Sequence, residues 1–338
     1  MRTRQIKDTD LTLSEIGFGC GGNAGLMVGG SAREQEFAVG GALDFGINYF
    51  DNAPDYGDGR AEEALGRALK TLRKRPFVTS KVEVRADDLG DIGGHVLRSV
   101  EASLRRLGLD HLDVVQIHNG PAAGRPRLAG RDYAQLWVED YLRPGGAIAG
   151  LERAIRDGKA RYAGFICRGD DGAEVRRLLD TRLFHLINVP YSLLNPTAGR
   201  ELPPGLTVER DYANVITAAR ERGVGTAIYS PLAGGVLSDD AVHGRPRHPL
   251  ARPAREDDEK AARRRMSAAA LRFLGEETGL SLAQAAFRFI LMHEGVTTAL
   301  GGFSSIAQME EIVAAASAPP FEPDLMARLE ELWRRDFG

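Results

Sequence analysis

Eight short apolar runs, each followed by a segment with apolar residues at helical spacing, succeed one another along the 338 residues. The runs read as strands at 16–22, 47–50, 77–83, 112–118, 161–167, 185–189, 224–229 and 296–300. Helical patterns fill 32–45, 60–73, 91–107, 147–157, 171–180, 208–222 and 305–316, with further helices near 260–278, 281–293 and 323–335. Strands that alternate with helices pair in parallel and need helices to cover the sheet. Eight such units fit a closed barrel better than an open doubly wound sheet. The expected fold is α/β, a (β/α)8 TIM barrel with extra helices and long loops at the C-terminal face, spanning 1–338 as one domain. The glycine-rich segment 19–24 does not form GxGxxG, so a dinucleotide-binding open sheet lacks its fingerprint.

In such barrels the C-terminal strand ends and the loops after them carry the chemistry. One stretch is dense with polar residues at such a place: Gly46-Ile-Asn-Tyr-Phe-Asp51-Asn-Ala-Pro-Asp-Tyr56-Gly57. Asp51 closes the second strand and Tyr56 lies in the loop after it. Lys81 stands near the end of the third strand and His118 at the end of the fourth. Taken singly, Lys81 reads as an ordinary strand-end lysine and His118 as a hydrogen-bonded core histidine. Four polar groups in order on successive strands point the other way. Reduction of a carbonyl by hydride develops negative charge on oxygen and needs a proton donor. Free tyrosine has a pKa of about 10 and is a reluctant acid or base at neutral pH. A nearby ammonium favours the phenolate, so Lys81 is expected to lower that pKa and Asp51 to hold Lys81 charged and oriented. His118 is expected to bond the substrate oxygen or assist proton transfer.

The stretch 46–57 resembles the signature of the aldo-keto reductase family, departing mainly in Asn52 where the family usually has Thr. Val78-Thr-Ser-Lys-Val82 looks like the family's lysine strand and Val114-Val-Gln-Ile-His118 like its histidine strand. The resemblance implies a catalytic tetrad of Asp51, Tyr56, Lys81 and His118. It also implies a nicotinamide cofactor, NADP or NAD, with NADP ahead. Tyr229-Ser-Pro-Leu-Ala-Gly-Gly235 resembles the seventh-strand loop, where Tyr229 stacks on nicotinamide and Ser230, Leu232 and Gly234 lie along the pyrophosphate. Gly302, Ser304, Gln308 and Glu311 match the adenosine side. Cys20, Gly21, Asp51 and Asn188 complete the implied cofactor set. Three departures stand out. Ile166-Cys167 occupy the usual Ser-Asn that holds the carboxamide, and Asn188 replaces a Gln. Gly302 and Gln308 fall where Lys and Arg often grip a 2′-phosphate, so strict NADP dependence is not implied. Arginines of 245–255 are alternative sources of that charge, and Arg263-Arg-Arg265 reads as a solvated helix face. The glycine loop and Val189-Pro-Tyr-Ser-Leu-Leu-Asn195 look most like bacterial aldose dehydrogenases of the fucose or galactose type.

The expected activity is interconversion of an aldehyde, ketone or sugar with its alcohol. Two other readings compete: a nicotinamide-binding regulatory protein of the potassium-channel β type, and a lyase using Lys81 as a Schiff base. The second requires Lys81 free of a counter-ion. Net charge of −3 gives no basic field for nucleic acid or anionic membrane. Two cysteines, Cys20 and Cys167, and an N-terminus without an apolar h-region lead to the expectation of a cytoplasmic protein. No run of ~18 apolar residues predicts a membrane span, and no His/Cys/Asp cluster has metal-ligand spacing. The sequence carries no mark of oligomeric state.

Overall fold

The computed structural model describes all residues except 127–133, 170 and 253–257. A hairpin of β1 (Thr3–Gln5) and β2 (Thr12–Ser14) precedes β3 (Ile16–Gly19), β4 (Tyr49–Asp51), β5 (Phe77–Val82) and β6 (Leu112–Ile117). Two short strands follow, β7 (Gly120–Ala122) and β8 (Gln135–Trp137). They precede β9 (Ala160–Ile166), β10 (Phe184–Pro190), β11 (Gly225–Tyr229) and β12 (Thr298–Gly302). Strands β3, β4, β5, β6, β9, β10, β11 and β12 pair in that order, all in parallel, and β12 returns to β3 to close the barrel. These are the eight expected strands.

The helices owe their boundaries to local signals. The helix Ala32–Asp44 starts at Ser31, whose hydroxyl accepts from Glu34 N while the Glu34 carboxylate accepts from Ser31 N. The helix Ile92–Leu107 begins at Asp91 and ends at Gly108 in the left-handed conformation, φ 63°. Other boundaries differ from the sequence expectation. The helix expected at 208–222 is confined to Val215–Glu221, because the chain ahead of it is held otherwise. Tyr212 N donates to Thr197 Oγ1 and Asn214 N to Thr197 O, and Ala213 and Asn214 have φ of 50° and 53°. The helix expected at 260–278 is two, Asp258–Ala270 and Phe273–Thr278. The long connections are not bare: 119–145 holds β7, β8 and the helix Val138–Leu142, loop 21–31 holds the turn Leu26–Gly29, and loop 231–258 holds Asp239–Val242.

Strand alternation sorts the barrel interior into layers. Tyr49, Val114, Leu186, Ala227 and Leu300 point inward and pack with Ile6, Leu11 and Leu13 from the hairpin, which seals the N-terminal end. Two residues on, the same inward faces carry Asp51, Gln116 and Asn188, because side chains at i and i+2 share a face. The interior therefore changes from apolar to polar along its axis, toward the C-terminal strand ends. The larger apolar cluster lies between strands and helices and runs from Ile16 to Trp333. Among the described residues no helix is long and apolar enough to cross a membrane.

Trp333, fully buried on the terminal helix Pro323–Arg334, donates its indole N–H to Leu193 O at 2.9 Å and packs against Phe289. It pins loop 192–206 to the barrel wall. Trp333→Ala is expected to cost roughly 3–5 kcal/mol. A urea titration checks this as a lowered midpoint with an unchanged slope.

Candidate active site

Three of the four tetrad residues sit at the polar end of the barrel because β4, β5 and β6 are neighbours in the sheet. Asp51 is the last residue of β4, Lys81 the penultimate one of β5, and His118 follows β6 directly. Tyr56 reaches over from the loop after β4, and its ring lies near Gly21, where an added Cβ would stand 3.6 Å from the ring.

Lys81 Nζ donates to Asp51 Oδ1 at 2.6 Å, to Asn52 O at 2.7 Å and to the Tyr56 hydroxyl at 3.3 Å. Lys81 and Asp51 are each 2% exposed. Lys81 thus has a counter-ion, which removes the condition a Schiff-base lysine needs. Burial works against its charge, but Asp51 and Tyr56 outweigh burial and raise its pKa. Asp51 Oδ2 accepts from Asn188 Nδ2 at 2.8 Å, and Asn188 Oδ1 accepts from Gln116 Nε2 at 2.8 Å. Gly164 leaves room for that Gln116 side chain, since an added Cβ would stand 2.9 Å from it.

Tyr56 departs from the expectation of a lowered pKa. Burial pushes its phenol up to about 12, and the Lys81 ammonium, which acts the other way, does not overcome it. The hydroxyl is therefore protonated at neutral pH.

His118 is 1% exposed, and its ring centroid lies 6.1 Å from that of Tyr56. Burial, then the charges of Arg168 and Lys81, lower its pKa well below the usual histidine value, so the ring is neutral. Arg168 Nη2 lies 2.8 Å from His118 Nε2. A guanidinium only donates, so Nε2 accepts and the ring proton belongs on Nδ1. Nδ1 faces Asp55 Oδ1 at 3.6 Å and Glu83 Oε1 at 3.9 Å. The expectation that His118 would offer its ring to a substrate oxygen thus meets an occupant, Arg168.

The residues matched to the cofactor lie on the same face but do unequal things. Cys20 is fully buried in the core, with its backbone N–H on Asp51 O, so only its backbone borders the site. Asn188 has both ends of its amide engaged by Asp51 and Gln116. Ile166 and Cys167 are buried, and Cys167 O accepts from the Tyr229 hydroxyl at 3.0 Å. The loop after Tyr229 turns tightly: Ser230, Ala233, Gly234 and Gly235 all have positive φ, of 56°, 48°, 75° and 92°. Such values in Ser and Ala are uncommon and concentrate at functional loops. Leu232 is half-buried and Gly234 exposed. A cavity of about 720 Å³ opens beside this loop, lined by Tyr191, Tyr212, Tyr229, Ser230, Ala233 and Arg264. Arg264, read from sequence as a solvated residue, is a correction: it is half-buried, its guanidinium donates to Ala233 O, and it lines that cavity. Arg263 and Arg265 are exposed as expected.

Among the residues matched to the adenosine side, Gly302 is exposed. Ser304 Oγ donates to Ala24 O at 2.6 Å, while Ser304 N donates to Gln308 Oε1 at 2.8 Å. Glu311 accepts from Ser281 Oγ. The helix Ile306–Ala315 opens here at Ser305, which caps Gln308 N. Arg252 lies across the glycine loop, its guanidinium where a Gly22 side chain would stand. Arg245 and Arg247 are exposed, and Arg255 lies outside the described residues. An aromatic ring at Tyr229, a tight loop, a capped helix N-terminus and the cations Arg252 and Arg264 form a set of groups suited to a dinucleotide.

The sequence reading missed four residues here: Gln116, Asp55, Glu83 and Arg168. Asp55 adjoins Tyr56. Gln116 and Glu83 each lie two places from a singled-out residue, and period two was the available signal. Arg168 had no signal beyond following a strand.

The profile of the Aldo/keto reductase family matches residues 15–334. The chain is similar to the L-glyceraldehyde 3-phosphate reductase of Escherichia coli strain K12, at 26% identity over 98% of this chain and 92% of that one. It is also similar to the L-galactose dehydrogenase of Arabidopsis thaliana, at 24% identity over 93% and 88% respectively. Among solved structures, the holo form of an aldo-keto reductase from Bacillus halodurans shares the fold, with a TM-score of 0.71, 24% identity, and 98% and 96% of the two chains covered. With the parallel barrel and the strand-end tetrad already in place, this chain belongs to the aldo/keto reductase family and is a nicotinamide-dependent oxidoreductase that interconverts carbonyls and alcohols.

Proposed function

We propose that Tyr56 exchanges the proton with the substrate oxygen, that Lys81 and Asp51 tune and hold it, and that His118 lines the reacting oxygen. The observation that carries this reading is the position of Lys81 Nζ, bonded at once to Asp51 and to the Tyr56 hydroxyl in a buried site. A bound nicotinamide supplies or accepts the hydride. In reduction the Tyr56 O–H bond breaks as an O–H bond forms on the substrate oxygen, and the Lys81 ammonium stabilises the phenolate left behind. In oxidation the phenolate takes the proton back. The buried wall of Tyr49, Lys81 and His118 keeps bulk water from the developing charge.

The substrate class is a small aldehyde, ketone or sugar. NADP is favoured over NAD, supported by Arg252 against the glycine loop and Arg264 beside the pyrophosphate-type loop. Residues Tyr229, Ser230, Leu232, Gly234, Gly302, Ser304, Gln308 and Glu311 would border the dinucleotide, with Cys20 and Gly21 contributing backbone. Cys20 and Cys167 are free and buried, in keeping with a cytoplasmic setting.

Three outcomes are expected. At 100 times its Kd, NADPH should stabilise the protein by about 2.7 kcal/mol; thermal melts with NADPH and NADH measure this and rank the two. Tyr56→Phe should keep cofactor binding and lose at least ~100-fold in kcat, followed by nicotinamide absorbance across a panel of aldehydes, ketones and sugars. A Tyr56→Phe enzyme near the wild-type rate would refute the assignment. Lys81→Met leaves Asp51 buried without its ammonium and should cost ~3–5 kcal/mol in stability. It should also move the alkaline limb of alcohol oxidation to higher pH, because removing a cation raises the phenol pKa; the value read belongs to the coupled pair. A limb that stays put or moves down would contradict the role of Lys81.

A further inference from the structure

Behind His118 lies a second group of acids that the reaction as described leaves unused. Glu83 is 6% exposed, one residue past β5, and one of its carboxyl oxygens lies within 4.8 Å of one of Asp55. Two carboxyl groups this close repel when both are ionised, which favours a proton on one of them. Burial, then the Asp55 charge, push Glu83 up to about 7, while Arg85 on its other oxygen pulls the opposite way. One atom each of Asp55, Glu83 and His118 lie within 4.8 Å of one another. Glu83 also lines a cavity of about 340 Å³, with Pro54, Arg85, Asp87, Asp88 and His95, and Asp87 lies on the surface. Glu83 thus borders that cavity while its Oε1 lies 3.9 Å from His118 Nδ1.

We propose that Glu83 and Asp55, acting through His118, form a proton passage between this side cavity and the Tyr56 hydroxyl, with Glu83 as a positioning residue for the imidazole. The proposal rests on the roles given above to Tyr56 and His118. Carbonyl reduction consumes one hydride and one proton, and alcohol oxidation releases both. In oxidation Tyr56, having taken the alcohol proton, gives it to Nε2 as Nδ1 passes its own proton to the carboxylate pair, which releases it to water in the cavity. In reduction the reverse runs from the Nε2–H ring: the pair gives a proton to Nδ1 as Nε2 gives its own to the Tyr56 phenolate, which leaves the ring in the Nδ1–H form. No electrons move along the passage. The Nδ1–H ring deduced from the Arg168 contact is the form poised to hand a proton to the pair. Arg168 must leave Nε2 before the Tyr56 hydroxyl can exchange a proton with it. The charged groups facing the ring are Asp55, Glu83, Lys81 and Arg168, with Tyr56 beside it; Arg85 and, through Glu83 O, His95 face Glu83.

The test compares wild type with Glu83→Gln and Asp55→Asn, both near-isosteric, in the full-length enzyme with NADPH and 4-nitrobenzaldehyde as the probe carbonyl. Wild-type kcat in reduction should fall as pH rises through about 7, where Glu83 loses its proton. Glu83→Gln should lose that limb and at least about tenfold in kcat at pH 6, with KM and NADPH affinity within about twofold. Glu83→Asp should restore part of both. Histidine-selective 15N NMR gives a second reading that needs no turnover: the wild-type His118 ring should carry its proton on Nδ1, and Glu83→Gln should shift its titration. Unchanged pH profiles, an Nε2–H ring in the free enzyme, or activity lost to a chelator and restored by zinc would each overturn the proposal. Failure of the catalytic reading itself shows separately, as an active Tyr56→Phe enzyme.

Discussion

The buried ion pair between Lys81 and Asp51 is the constraint around which the catalytic face is built. Removing two charges from water costs several kcal/mol per ion, and attraction offsets this only when the remaining lone pairs and protons also find partners. Here they do: Asp51 accepts from Asn188, Asn188 from Gln116, and Lys81 has the Asn52 carbonyl and the Tyr56 hydroxyl. Four strands contribute to this chain, β4, β5, β6 and β10, so the network closes only when the barrel does. The tyrosine is oriented by a group that the whole sheet must assemble to hold.

The pair is affordable because of where the barrel interior changes character. Inward residues one step lower are Tyr49, Val114 and Leu186, sealed from beneath by Ile6, Leu11 and Leu13. One step higher they are Asp51, Gln116 and Asn188. The strand repeat of two places these sets on the same faces 6–7 Å apart along each strand, as a rise of about 3.3 Å per residue dictates. An apolar floor then lowers the local dielectric just where the charges sit, which strengthens their interaction.

Much of this was legible in the chain. Each of the eight strands was bounded by turns and followed by a periodic helix, and local signals of that kind survive folding. Asp51, Lys81 and His118 were legible because they end apolar runs, and the barrel brings such ends together. What was not legible depended on groups far apart in sequence. The bond from Asn188 to Asp51 spans 137 residues, and the approach of Arg168 to His118 spans 50. The helix expected from 208 failed to start there because Thr197 holds residues 212 and 214. Arg264 reads as solvated from its periodicity, which carries nothing about the loop carbonyl of Ala233 that accepts from it.

The tyrosine shows how such long-range terms reverse a local argument. Lys81 alone would lower the phenol pKa, and the ion pair keeps that ammonium charged. Yet Lys81 is already half-spent on Asp51, whose negative charge opposes the phenolate, and burial removes the water that would solvate it. The balance leaves the hydroxyl protonated in the free enzyme, which in the proposed role is the form that reduction needs. Oxidation needs the phenolate. The positive charge of an oxidised nicotinamide beside the site would favour that form by simple attraction. A single tyrosine can then serve both directions, with its protonation state following the charge of whatever cofactor is bound.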